Sequence, residues 1–462
     1  MYSLVKKMDK RIIEILAVVI VVAAGAAAAI VLTNNGNKGP AKDYSTIDVS
    51  TSLGVYGNDN NDALINDYDV DVINKIIAKE ATLTDYPLAD ANNDGQVTSE
   101  DVDLVKKMMA HEACAVTVLA LDNSAAQTAV KVNYPLKNAV LFGSNTNAVS
   151  LYIGAEKSIA GYFRQNYANF EAPLIANAQN LGGDAGDVTP GWAKFMALDT
   201  SLESSGGIGA LIADVTRASG ISDDQRADLS EAGIPLLFFA STDAKDEVSA
   251  ALILGFLFGK ETEQKSRDYA TLSWQIFNKI KEITDTVTDK SSVISVTMGS
   301  KLAKNTSDNY DTIKAAGGVP YGEVNSSYKI TSTKSLDNAG ETLAPYDDVG
   351  YIISIRSVDK LVTATGIKDS YISTWDAYYD YFDDLDSYTE LIYINNLLPG
   401  ALKLAYILES LYPTAVAAGY ADGLFTQMTE ICSYLTGCTL DNTFTCMTYA
   451  DYVAMGGTHT AA

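Results

Sequence analysis

Tyr269, Leu272, Ile276, Ile280, Ile283 and Val287 recur every three or four residues, so the segment 261–287 carries one apolar stripe on an otherwise polar helix. At 1.5 Å per residue such a helix is a rod of roughly 40 Å, long enough to run the length of a domain. A rod with a single apolar stripe needs folded material packed along it. The chain supplies that material on both sides, as alternating strand and helix segments.

Before the rod, Ala115–Leu121 alternates as a strand, Asp122-Asn123 turns, and Val130–Val132 returns as a partner. Asn138–Gly143, Leu211–Ala213 and Pro235–Phe239 are short apolar runs that read as buried strands. After the rod, Val293–Val296, Val349–Ile355 and Leu391–Ile394 repeat the plan, the last followed by an apolar helix through Tyr412-Pro413. The predicted class is α/β, with two Rossmann-like lobes (112–256 and 289–430), a bridging helix (257–288) and a C-terminal segment (431–462).

The N-terminal region is different. Ile12–Leu32 is apolar apart from Glu14, roughly 30 Å of helix and enough to cross a hydrocarbon core. Lys6, Lys7, Lys10 and Arg11 precede it, which places residues 1–11 in the cytoplasm and the bulk of the chain outside. The run exceeds a usual signal-peptide core, so an uncleaved transmembrane anchor (12–33) is preferred to a cleaved leader. Residues 34–50 read as a flexible linker.

Two segments then match at an offset of 32 residues. The second, Asp90 to Asp101, places Asp90, Asn92, Asp94, Thr98 and Asp101 at loop positions 1, 3, 5, 9 and 12, with Gly95 at 6 and the Gln96 carbonyl at 7. Calcium takes six to eight oxygens, and EF-hand-type loops supply them at this spacing. The first copy offers Asn58, Asn60, Asp62, the Leu64 carbonyl, Asn66 and Asp69, with no charge at position 1 and Ala63 in place of glycine. Weaker calcium affinity is expected there. This pair of loop–helix units, within 51–111, resembles a dockerin module. The resemblance implies a small α-helical, calcium-folded module that docks a cohesin-like partner.

The large remainder also carries a resemblance. Ala115–Gly143, Ile153-Gly154-Ala155 to Gly161, Gly233-Ile234-Pro235, Ala315–Gly318 and Leu398–Ala401 through Pro413 follow one another around the long helix. That order resembles the substrate-binding proteins of ABC importers for iron–siderophore, haem and cobalamin. It implies capture of a metal chelate between two lobes and delivery to a permease with its ATPase. It also implies one surface carboxylate per lobe that docks the permease. Glu341 stands where the second-lobe one belongs, and Glu203 is the nearest first-lobe candidate; a plain solvated charge is the alternative for both.

Ligands of open α/β sheets lie beyond the carboxyl ends of the strands. That rule selects Ser144, Asn145, Thr146, Tyr162, Arg164, Thr216, Arg217, Ser241 and Thr242 on the first lobe. On the second it selects Met298, Lys301, Arg356, Asn395 and Asn396, and arginines among these grip carboxylates or phosphates bidentately. The Tyr- and Asp-rich stretch from Tyr371 to Tyr393 has two readings, an aromatic wall for a macrocycle or a half-buried surface helix. Cys432, Cys438 and Cys446 allow a disulfide in an exported protein, most simply Cys432–Cys438.

Composition narrows the function further. A net charge of −25 repels phosphate backbones and disfavours nucleic acid as a partner. Two histidines and no G-x-S-x-G elbow make an acyl-transfer triad improbable. Gly255–Lys260 has three residues between glycines and Lys is followed by Glu261, so it is no phosphate-binding loop. No catalytic activity is expected. The rival readings are a dockerin-bearing adhesion or scaffold protein and, behind it, a carbohydrate-active enzyme using a carboxylate pair.

Overall fold

The structure, a computed structural model, describes residues 53–163, 178–183, 186–297, 301–304, 306–324, 334–335, 350–356, 372–373, 376, 390–396, 398–432 and 445–458. The predicted anchor and linker lie outside these residues. Among the described residues, no helix is long and apolar enough to cross a membrane.

The 32-residue offset recurs in the backbone. Helices α1 (Asp67–Ile77) and α2 (Ser99–Met109) start and stop at equivalent positions. Each begins in a capping box: the Asn66 and Thr98 side chains accept from the helix, and Asp69 and Asp101 accept from the cap N–H groups at 2.8 Å. Beyond each helix the chain adopts positive φ, at Lys79 and at His111. Val72, Ile73, Val102, Val105 and Met108 of the two helices are buried, as are Leu53, Val55 and Ala91 of the adjoining segments.

This small unit is fastened to the next one. Leu119 N–H donates to the Gly54 carbonyl at 2.7 Å and Tyr56 N–H to the Thr117 carbonyl at 3.0 Å. His111, which the sequence leaves without a role, sits 2.7 Å from the Tyr134 hydroxyl and 3.5 Å from the Glu263 carboxylate.

The first lobe is built on β1 (Cys114–Leu121), β2 (Gln127–Tyr134), β3 (Ala139–Phe142), β4 (Ile159–Phe163), β5 (Gln179–Gly182), β6 (Leu211–Asp214) and β7 (Leu236–Phe239). Helices α3 (Ser144–Tyr152), α4 (Trp192–Leu202) and α5 (Asp223–Ala232) connect them. The sheet order is β2-β1-β7-β6-β3-β4-β5, parallel from β7 to β5. Every residue of β3 and β6 is buried, as expected for parallel strands covered on both faces. The β1–β2 hairpin turns on Asp122, whose carboxylate accepts from Ser124 and Ala126; those hydrogen bonds hold it below the usual carboxylate range.

Two long helices follow. α6 (Ala244–Phe258) is capped by Asp243, which accepts from the Lys245 and Asp246 N–H groups at 2.8 Å. Gly259, at φ 103°, turns the chain into α7 (Lys260–Thr284), about 37 Å long. The helices touch at Gly255, where an added Cβ would stand 2.1 Å from the Ser266 Oγ. The Gly255–Lys260 segment is thus a helix junction. α7 buries Tyr269, Leu272, Ile276, Ile280 and Ile283 and stops at Thr284, one turn before Val287.

The second lobe contains β8 (Ser292–Thr297), β9 (Lys301–Leu302), β10 (Val319–Pro320), β11 (Lys334–Ser335), β12 (Tyr351–Arg356), β13 (Glu390–Asn395) and β14 (Cys446–Met447). Its helices are α8 (Asp308–Ala315), α9 (Tyr321–Val324), α10 (Gly400–Leu411), α11 (Tyr420–Ile431) and α12 (Tyr449–Ala454). The order is β11-β9-β8-β12-β13-β14, with β10 beside β8. Strands β8, β12 and β13 are parallel. The expectation that the run at 391–394 is the last strand is corrected, because Cys446–Met447 adds an antiparallel edge to β13. Cys432 is a buried free thiol, and Cys438 lies outside the described residues. The molecule is therefore mixed α/β with two separate sheets, one per lobe.

Candidate functional site

The carboxyl ends of both parallel sheets open on one cleft. A cavity of about 160 Å³ is lined from the first lobe by Ser144 and Asn145 after β3, Tyr152 on α3, and Ser241 and Thr242 after β7. The second lobe contributes Asp308, Asn309 and Thr312 of α8, Ile355 of β12, Asn396 after β13 and Lys403 of α10. A larger cavity of about 860 Å³ shares Thr242, Glu247, Asp308, Thr312 and Lys403 and extends along α7 to Trp274 and Phe277. Lys245 lies over the Trp274 ring, 5.4 Å from its centroid.

Glu247 is the hub between the lobes. It lies in the first turn of α6, 7% exposed, and accepts from the Tyr269 hydroxyl of α7 and from the Gly400 N–H of α10 at 2.8 Å. Burial pushes its carboxyl up, while Lys403 and the two hydrogen bonds pull it back. Burial pushes the Lys403 ammonium down, opposed by Glu247. The Lys403 Nζ also donates to the Asn396 side chain at 3.2 Å.

A second carboxylate shapes the first-lobe rim. Asp214, at the end of β6, accepts from Ser241 N–H (2.9 Å) and Oγ (2.6 Å) and from Thr216 N–H (2.9 Å) and Oγ1 (2.5 Å). It holds the loops after β6 and β7 together. Close by, burial, then Asp243 and Asp214, push the Asp246 carboxyl up to about 6.

Of the residues selected from sequence, Ser144, Asn145, Ser241, Thr242 and Asn396 line the cleft. Three others are buried outside the cleft lining. Tyr162 is fully buried within β4, Thr146 is buried on the inner face of α3, and Asn395 is buried in β13, where its N–H donates to the Thr445 carbonyl at 2.9 Å. Tyr162 and Asn395 are still strand residues, and Thr146 lies on the covered face of α3. Thr216 and Arg217 lie in the 3₁₀ turn 215–220 outside the cleft lining, with Thr216 spent on Asp214. Lys301 and Arg356 are strand residues. Arg164 and Met298 lie outside the described residues, as does most of the Tyr- and Asp-rich stretch; of it, Asp376 accepts from the Tyr452 hydroxyl at 2.5 Å.

Sequence reasoning missed Glu247, Lys403, Asp308, Asn309 and Thr312. The sequence does not set the first two apart, since Lys245 and Asp246 share the first turn of α6 with Glu247 and Glu409 lies on α10 with Lys403.

Glu203 lies in an exposed turn after α4 and borders a groove of about 830 Å³. Gly209 and Pro235 also line that groove, at the amino ends of β6 and β7, so it opens at the end of the sheet opposite the cleft. Glu341 lies outside the described residues.

The two 32-residue repeats share their loop hydrogen bonds. Leu64 N–H donates to Asp62 at 2.7 Å as Gln96 N–H donates to Asp94 at 2.9 Å, and Asp62 N–H donates to Asn60 at 3.1 Å as Asp94 N–H donates to Asn92 at 2.9 Å. Asp90 accepts from the Asp94 and Gly95 N–H groups at 3.0 and 2.7 Å. The carboxylates are turned onto these amides, and among the described residues no three His, Cys, Asp or Glu side chains converge as metal ligands.

No family model and no curated protein matches the chain. Solved structures do. A TroA-like periplasmic binding protein, FepB, from Veillonella parvula aligns at 13% identity over 68% of this chain and 96% of its own, with a TM-score of 0.51. CeuE from Helicobacter pylori with Ni(II) bound aligns at 11% identity over 73% of this chain and 99% of its own, with a TM-score of 0.43. The haem-binding RhuT from Roseiflexus sp. RS-1 aligns at 13% identity over 61% and 99%, with a TM-score of 0.39. The two lobes, the long helix between them and the FepB alignment give this chain the fold of a TroA-like periplasmic binding protein.

Proposed function

We propose that the chain is the extracytoplasmic solute-binding component of an ABC importer, held to the membrane by residues 12–33, and that it captures a metal chelate. The carrying observation is the polar cleft between two separate lobes, closed on its inner side by Glu247 and Lys403. Four helices, α3, α6, α8 and α10, begin at this cleft; Asp243 caps α6 and Glu247 takes the Gly400 N–H of α10, while α3 and α8 carry no side-chain cap and leave N-terminal N–H groups that favour an anionic ligand. Neutral donors and acceptors on the rim (Ser144, Asn145, Thr242, Asn309 and Asn396) orient it. The partners are a permease and its ATPase, met through Glu203 and Glu341. No residue of the cleft is assigned a catalytic role.

The finer part of the proposal concerns 51–111. This region is a dockerin-like module whose second loop holds calcium through Asp90, Asn92, Asp94, Thr98, Asp101 and the Gln96 carbonyl. The equal helix bounds and equal loop hydrogen bonds of the repeats support it.

Fluorescence titration of the purified chain with a ferric siderophore, haem and cobalamin tests the transport reading, with Trp274 on the cavity wall as reporter. One chelate is expected to saturate the signal. Asn145→Phe, which adds bulk to an exposed cleft residue, weakens that binding by about tenfold or more, or at least about 1.4 kcal/mol. Absence of binding by all three chelates contradicts the proposal.

A further inference from the structure

The repeat fails at one informative place. Ala91, the second residue of the second loop, is fully buried. Its equivalent 32 residues earlier is Asp59, which is 5% exposed and has no hydrogen-bond partner at either carboxylate oxygen. Beside it, Asn58 is fully buried, and its Oδ1 also lacks a donor. In the second loop the corresponding position 1 acceptor, Asp90, is satisfied by two backbone amides. The first loop therefore presents three orphaned acceptor oxygens on adjacent residues, in a place that its sister repeat fills with a methyl group.

The surroundings are acidic. Asp69 and Asp101, both fully buried, act on Asp59 through space, and Asp59 N–H donates to Asp69 at 2.7 Å. Burying an unpaired carboxylate among like charges is costly, and a bound cation removes that cost. An acid count agrees. Each twelve-residue segment carries four acids, Asp59, Asp62, Asp67 and Asp69 in the first and Asp90, Asp94, Glu100 and Asp101 in the second, and they differ in that the first has its leading acid at position 2 and the second at position 1.

We propose that Asp59 is a metal ligand, and that the first loop takes a hard divalent cation, calcium, through the Asp59 carboxylate and the Asn58 Oδ1 on the side facing Asp69. The acid missing from position 1 has moved to position 2, so the first loop is a full-charge site with altered geometry. This inference rests on the calcium reading of the module and adds a ligand that the loop spacing does not supply.

The test uses the whole exported chain, because the module is hydrogen-bonded to β1. The protein is stripped with EDTA, dialysed and titrated with calcium in a calorimeter. Wild type is expected to take up two equivalents, and Asp59→Ala and Asp59→Asn one each. Asp90→Ala retains one, which adding Asp59→Asn removes. Melting gives an independent sign: in EDTA, Asp59→Ala melts higher than wild type, whereas its calcium-induced rise is smaller. Two equivalents of unchanged affinity in both Asp59 variants overturn the proposal and leave the module reading intact. No uptake by wild type overturns both. A single wild-type equivalent that survives Asp59→Asn but is lost in Asp90→Ala also overturns the proposal.

Discussion

Asp246 shows how a single carboxylate is affected by the folds of its neighbours. Its carboxyl, raised to about 6 against an ordinary 3.8, favours the neutral form in the folded state. The sign follows from linkage: below about pH 4 both states are protonated and nothing is lost, and the penalty grows until the pH passes 6. Because the group is only part-buried, the expected penalty is about 1 kcal/mol, less than the full shift implies. Asp246→Asn should therefore stabilise the chain against urea by about 1 kcal/mol at pH 8 and by almost nothing at pH 4. Residues of this kind were the least legible in sequence. Glu247 and Lys403 differ from ordinary helix charges only in what packs over them, and that is decided by other elements. Of the residues the strand-end rule selects, Ser144, Asn145 and Thr242 line the cleft. Tyr162 and Asn395 are buried strand residues, where a slip of one residue exchanges the cleft face for the core, and Thr146 is buried on helix α3.

At the scale of elements, α6, α7 and α10 meet on the Glu247 carboxylate. It accepts from the Tyr269 hydroxyl and the Gly400 N–H, so each helix loses a partner when it is removed. Glu247→Ala leaves both donors buried and unpaired, and is expected to cost about 3 kcal/mol in urea unfolding. Glu247→Gln keeps an acceptor for both and should cost less than half as much; equal losses would show that the shared carboxylate does not join the helices. The elements themselves were largely legible. The stripe from Tyr269 to Ile283 marks α7, and the apolar runs at Asn138, Leu211 and Pro235 mark β3, β6 and β7. The short edge strand Cys446–Met447 was not, since two residues carry no periodicity and pairing alone makes them a strand. His111 also gained its meaning only through Tyr134 and Glu263, which are distant in sequence.

Across the whole molecule, two separate sheets face one cleft, a long helix spans between them, and a two-helix unit is hydrogen-bonded to the first lobe. The groove bordered by Glu203 opens at the amino ends of the first-lobe strands, away from the cleft. All of this depends on something small being held between the lobes. Native mass spectrometry of the chain recovered from producing cells measures that directly. The account predicts one added mass equal to a metal chelate on the wild-type chain, lost in Asn145→Phe while bound calcium is retained. Wild type and Asn145→Phe carrying the same adducts, with calcium alone among them, would contradict it.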